Sequence, residues 1–234
     1  MSKFIAEKSF FELFPDAKLG VLLIKNMKNG PSDSELIDML IESNTIAEQY
    51  ITNPKFSDNT IIKEWREAYK KFKTKKKARC SIEALLKRVE TGNTVGSINK
   101  LVDIYNSASL RFGLPAGAED LDKFEGDLKL TITNGEDEFF AIGSDENEPT
   151  KEGELCYKDD AGAVCRCFNW RDGQRTMVTD NTENTFLIME ILNDEKIDTL
   201  KEAQKYISDL CKELLMADVE EYILDKENNE IVLK

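Results

Sequence analysis

Apolar residues recur along this chain at two spacings, and the change from one to the other divides it. Up to about residue 112 the spacing is that of helices, with one face of each buried. Leu36, Met39, Leu40 and Ile46 form a first stripe, and Ile61, Ile62, Trp65, Tyr69 and Phe72 a second. Ile82, Leu85, Leu86 and Val89 form a third, ending at Gly92, and Leu101, Ile104, Tyr105, Ala108 and Phe112 a fourth. Ser32-Asp33-Ser34-Glu35 supplies a cap and first-turn acids for the first stripe. Ahead of it, Phe4 to Phe14 reads as a short helix or arm, and LGVLLI as a buried strand of branched residues.

Beyond Asp127 the period shortens to two, which predicts strands. The candidates are Leu128 to Ile132, Glu138 to Ile142 across an Asn134-Gly135 turn, Glu154 to Tyr157, Ala163 to Phe168, Arg175 to Val178, and Phe186 to Leu192. Gly143 to Gly153 is acidic and reads as a surface loop. A helical stripe returns from Asp198 to Met216, and YILDKENNEIVL then reads as a hairpin. Helices, then strands, then a closing helix predict an α+β fold. The expected division is a helical part over about 1–112, a strand-rich part over about 127–192, and a C-terminal helix and hairpin over about 196–233. No repeat or flexible linker interrupts the chain, so 1–234 is read as one domain.

The formal net charge of −13 argues against nucleic acid until its distribution is considered. Lys63 to Arg88 holds eleven Lys and Arg against three Glu, a local +8, so the rest of the chain sums to −21. Lys70, Lys71, Lys73, Lys75, Lys76, Lys77 and Arg79 form the densest part of this patch, which suits an RNA backbone or serves as a solvated helix face. The longest apolar runs are too short to span a bilayer, and no membrane partner is expected. Five scattered cysteines fit free thiols in a reducing, cytoplasmic setting better than a disulfide framework.

Histidine is absent, which excludes Ser-His-Asp and Cys-His catalysis and removes the commonest metal ligand. Cys165 and Cys167, with Cys156 nearest, lack the spacing of a zinc site and read as small buried side chains, so no metal or cofactor is expected. Two polar segments stand out instead. Leu101 to Leu128 carries Asn106, Ser109 and Arg111 on a helix, then a tight loop at Gly113, Pro115 and Gly117, then Glu119 and Asp120. Asn169 to Thr176, NWRDGQRT, places Arg171 and Arg175 in a polar turn, where their planar donors suit a phosphate or pair with Asp120, Asp122 or Glu125. Trp170 between them stacks on a base or caps the core.

The first segment resembles the editing module, called B-three/B-four, of the bacterial phenylalanyl-tRNA synthetase beta subunit, and its freestanding relatives. The resemblance rests on Val102-Asp103-Ile104 with Asn106, on Gly113 and Pro115, on Asp120-Leu121-Asp122-Lys123, and on Val178 to Asn184 before the run Thr185 to Leu192. It implies a central β-sandwich of unusual topology flanked by helices. It further implies an RNA-binding module that docks aminoacyl-tRNA at its aminoacylated 3′ end and hydrolyses a mischarged ester in trans. The module is not expected to aminoacylate by itself, and DNA is not an expected partner. The expected pocket comprises Asn106, Ser109, Arg111, Glu119, Asp120, Asn169, Arg171, Arg175 and Thr176, with no catalytic residue assigned. The chain departs from the pattern at Gly117, where the synthetase has histidine, and at Gln174-Arg175, where it has glutamate. Tyrosine specificity therefore does not carry over. The alternative is a non-catalytic module that binds tRNA or an amino acid-like ligand, or that engages a synthetase partner.

Overall fold

The computed structural model describes residues 1–234. The opening segment is a strand, β1 (Lys3–Ala6), and a one-turn-plus helix, α1 (Lys8–Leu13), that leads into β2 (Lys18–Lys25). Helix α2 (Ser34–Ala47) starts where the Asp33 carboxylate accepts from the Leu36 N–H. Helices α3 (Thr60–Ala68) and α4 (Ser81–Glu90) bury Ile62, Trp65, Ile82 and Leu86. Helix α5 (Lys100–Phe112) is capped by Asn99 and stopped by Gly113 at φ 65°, where a Cβ would lie 2.6 Å from Ile61. The strands β3 (Ala116–Asp120), β4 (Leu128–Ile132), β5 (Leu155–Asp159), β6 (Gly162–Arg166), β7 (Arg171–Asp172) and β8 (Thr185–Ile191) follow. Helix α6 (Ile197–Leu214) and strands β9 (Asp218–Leu224) and β10 (Glu230–Val232) close the chain. No helix is long and apolar enough to cross a membrane.

Two sheets result, ordered β10-β1-β4-β5-β6-β7 and β3-β8-β2-β9. Neighbours are antiparallel except β1 and β4. Alternation along the four-stranded sheet explains the layering. Leu19, Val21, Leu23, Phe186 and Ile188 share a core with Phe4, Leu130 and Val164 of the other sheet, whereas Leu22, Ile24, Leu187 and Met189 pack with Leu101, Ile104, Leu200 and Ile207 of α5 and α6. The architecture is thus a β-sandwich with a helical layer on the outer face of its smaller sheet, an α+β fold.

Four expected elements are corrected. The segment Ala116–Asp120 is an edge strand on β8, not loop; its backbone pairs although AGAED carries no apolar alternation. Residues 138–142 make only isolated bridges, because Glu136 adopts a positive φ and Asp137 draws in the hydroxyls of Thr133 and Thr150. Residues 175–178 form a single bridge, Met177 to Glu119. The closing hairpin is absent: β9 pairs with β2 and β10 with β1, so this segment links the two sheets. The first 25 residues likewise supply a strand to each sheet, so the helical part is not purely helical.

Candidate functional site

Strand β3 and the turn after β6 meet at one end of the sandwich. The Asp120 N–H donates to the Thr176 carbonyl at 2.7 Å, and Asn169 fills the space beside Gly117. The turn is held in a costly conformation, since Cys167 and Phe168 both have positive φ, of 51° and 55°. Its supports are visible. The Tyr69 hydroxyl donates to the Cys167 carbonyl at 2.5 Å, and the Phe168 ring packs on Phe10, Phe14, Trp65, Tyr69 and Phe72. Between the sheets lies a closed cavity of about 10 Å³, lined by Gly117, Glu119, Tyr157, Cys165, Asn169 and Phe186 among others. That is room for about one water.

Two carboxyl groups enter the sandwich interior here. Glu190 of β8 is fully buried, accepting from the Tyr157 hydroxyl at 2.5 Å and the Asn169 amide at 2.6 Å. Burial raises its pKa to about 8 against those hydrogen bonds. Glu119 of β3 is 6% exposed, and neither of its oxygens has a hydrogen-bond partner. Burial and then the Asp172 charge push its pKa well above the usual carboxyl range, while Thr176 and Arg175 act in the opposite direction. A neutral carboxyl beside a small polar cavity can donate a proton, and after losing it can accept one.

The other residues singled out from sequence have varied surroundings. Ser109 is buried and donates to the Leu114 carbonyl, closing the end of α5. Arg111 donates to Ser43 at 2.8 Å, pairs with Glu42 and stacks over Tyr206, which ties α5 to α2 and α6. Asn106 is half-buried. Asp120 accepts from the Asp122 N–H and the Thr182 hydroxyl. Arg175 forms a two-pronged pair with Asp159, at 2.6 and 2.9 Å, rather than with Asp120, Asp122 or Glu125. Arg171 is exposed, 3.5 Å from Glu148 and near the Trp170 ring. Thr176 is fully buried and its hydroxyl is unpartnered.

The basic segment lies open. Lys76, Lys77 and Arg79 are exposed and form no ion pair. Lys73 is also exposed, with its backbone N–H bound to the Gly153 carbonyl. Lys70 pairs with Glu67, Lys75 with Glu148, and Lys71 caps the Leu13 carbonyl over the Phe14 ring. Arg66, Lys70, Lys77 and Arg79 line a groove of about 480 Å³ whose floor includes Tyr69, the same residue that holds the turn before Asn169.

A family model described as the B3/4 domain matches residues 64–213, well over half of the chain. The chain belongs to the B3/4 domain family. It is also 30% identical over 100 residues to the phenylalanine–tRNA ligase beta subunit of Fusobacterium nucleatum, a stretch that is 43% of this chain and 12% of that subunit. Among solved structures it is similar to an N-terminal fragment of the phenylalanyl-tRNA synthetase beta subunit from Pyrococcus horikoshii, with a TM-score of 0.47 and 11% identity, covering 95% of this chain and 54% of that one. The B3/4 match contains the basic segment, α5, β3 and the turn of Asn169, and leaves β1, β2, β9 and β10 outside it.

Within this B3/4 domain no sequence pattern pointed to Glu190, Tyr157 or Cys165 as neighbours of the cavity. For Glu190 a signal existed. It is the one charged residue in the run TFLIMEIL, at an inward position of an otherwise apolar strand, and a buried carboxyl at such a place demands partners.

Proposed function

We propose that this chain docks the aminoacylated 3′ end of a tRNA and hydrolyses a mischarged ester in trans, in the cytoplasm. The observation that carries the reading is a short chain of contacts linking the exposed basic groove to the small cavity between the sheets. Tyr69 lines the groove, its hydroxyl holds the Cys167 carbonyl, and the turn so fixed delivers Asn169 to the cavity. In this reading a polyanion held along Lys70, Lys77 and Arg79 is connected through Tyr69 and the turn at Cys167 to Asn169 of the cavity. The name of the similar curated protein, a phenylalanine–tRNA ligase beta subunit, supports reading that polyanion as a tRNA and a synthetase as a candidate partner.

An aminoacyl ester is already activated, so the protein's part is to position water and stabilise charge. Water adds to the ester carbonyl; the free amino acid and the tRNA hydroxyl leave. In this reading Glu119 and Asn169 orient that water, and the 3′-terminal ribose-phosphate lies at Arg171 and Arg175. The cavity takes about one water and not an amino acid, so in this reading only the attacking water enters it and the amino acid lies outside, against the Asn169 to Thr176 turn. In this reading Asn106 and Ser109 of α5 face the amino acid, Asp120 supports its pocket, and Arg111 braces α5 from behind.

The test is a deacylation panel across non-cognate aminoacyl-tRNAs, comparing the wild type with Glu119→Gln. Release of at least one amino acid above the spontaneous rate, lost in the variant, is expected. Binding without release anywhere on the panel would leave the chain a non-catalytic tRNA-binding module.

A further inference from the structure

Sequence spacing offers no metal site, yet the fold brings three possible ligands together from separate segments. Cys165 of β6 and Asp172 of β7 are direct cross-strand partners in the larger sheet, with the thiol 3.0 Å from the Asp172 carboxylate. Glu119 of β3 reaches them from the smaller sheet, and ligand atoms of all three lie within 4.8 Å of one another. Tetrahedral zinc, with bonds of about 2.0–2.3 Å to oxygen and sulfur, holds such donors roughly 3.4–3.6 Å apart. The closure needed is therefore at most about 1.4 Å, within reach of side-chain rotation.

Acid clusters are common without an ion, so the argument needs more than proximity. Glu119 is 6% exposed and both of its carboxylate oxygens lack a partner. Thr176, fully buried beside it, has an unpartnered hydroxyl too. Orphaned buried polar atoms are rare and destabilising unless something not supplied by the chain satisfies them. The adjoining cavity of about 10 Å³ has room for a single water as a fourth ligand and excludes any organic cation. Asp172 is partly buried at the outer end of the cluster, on the two-residue edge strand β7.

We propose that Glu119, Cys165 and Asp172 bind a zinc-class divalent ion that joins the two sheets, with a fourth position open to the cavity. One thiolate and two carboxylates select a borderline-soft ion over magnesium or calcium, which favour all-oxygen shells. The site closes the polar end of the sandwich, where β3 is an edge strand and β7 is only two residues long. Binding releases the thiol and carboxyl protons, so affinity weakens as pH falls. This inference does not depend on the tRNA reading, because it concerns the ion alone.

The test uses the full chain with ZnCl2 and CoCl2. Cobalt should give a near-ultraviolet thiolate-to-metal charge-transfer band at about one ion per chain, lost in Cys165→Ser and weakened in Glu119→Gln. Zinc at a hundredfold excess over the wild-type Kd should raise the melting temperature by roughly 5–10 °C in the wild type and by clearly less in Glu119→Gln. Glu119→Gln is isosteric and guards against a folding failure of the cysteine variant. Absence of the charge-transfer band, or a thermal shift equal in wild type and Glu119→Gln, overturns the proposal and assigns the cavity to a buried water.

Discussion

The Asn169 side chain occupies the volume that any side chain at position 117 would need: a Cβ on Gly117 would lie 2.2 Å from the Asn169 Oδ1. Asn169 cannot step aside cheaply, because its amide nitrogen is held by Glu190 at 2.6 Å. Here the departure from the synthetase pattern acquires a physical reason. A larger residue at 117 and this placement of Asn169 are mutually exclusive, so the two turns of the site have to change together.

Gly117→Ala should accordingly destabilise the fold by about 1–3 kcal/mol, the usual range for overpacking. In an Asn169→Ala background the same change should cost much less, since the obstructing carboxamide is gone. A double-mutant cycle by urea denaturation measures the difference. Equal costs in both backgrounds would contradict the contact.

Glu190 makes stability depend on pH in an unusual direction for a carboxyl. Its pKa is raised from 4.5 to about 8 by burial, so the folded state holds its proton more tightly than the unfolded chain does. The stabilisation is complete below about pH 4.5 and is lost as pH rises through about 8. The urea midpoint should therefore fall between pH 5 and pH 8.5. Glu190→Gln, whose amide can donate to Tyr157 and accept from Asn169, should flatten that slope. Glu119, raised for the same reason, leaves a residual slope in the variant. A midpoint that rises across this interval would refute the assignment.

Arg166 and Glu154 form a buried pair, 2% and 0% exposed at the side chain, with two contacts of 2.6 and 2.7 Å and a third bond from Arg166 to the Glu148 carbonyl. Removing one partner strands a charge. Arg166→Met should cost about 3–5 kcal/mol, whereas Arg166→Met combined with Glu154→Leu should recover much of the loss. Thermal melts of the single and double variants decide the point.

Much of the architecture was legible because it is local. One-sided stripes such as Ile61, Ile62 and Trp65 place a helix against a core whatever the core turns out to be, and the branched run of β2 can only be a buried strand. What escaped reading depends on contacts distant in sequence. The AGAED segment is a strand only because β8 lies beside it, and the β9–β10 segment passes for a hairpin until the two sheets claim one strand each. Arg175 found Asp159, brought close by the β5–β6 turn, instead of the acids nearer the motif. The basic run was legible because exposed charge needs no partner, while Glu119, Cys165 and Asp172 share no spacing that could have linked them.

Lys76, Lys77 and Arg79 offer the sharpest test of the basic surface because they are exposed and free of ion pairs. Reversing all three to Glu removes no internal contact, so the melting temperature should stay nearly constant. On the proposed docking role, tRNA affinity should fall at low salt. The slope of log K against log salt should also become shallower by roughly 2–3, since each lost phosphate contact removes about 0.7–0.9. The matched control is Lys28→Glu, Lys201→Glu and Lys226→Glu together, three exposed lysines outside the basic segment that form no ion pair. Filter binding with total tRNA at several salt concentrations separates the outcomes. If both sets of reversals weaken binding equally, the interaction is diffuse attraction and the groove at Tyr69 has no special claim to the RNA.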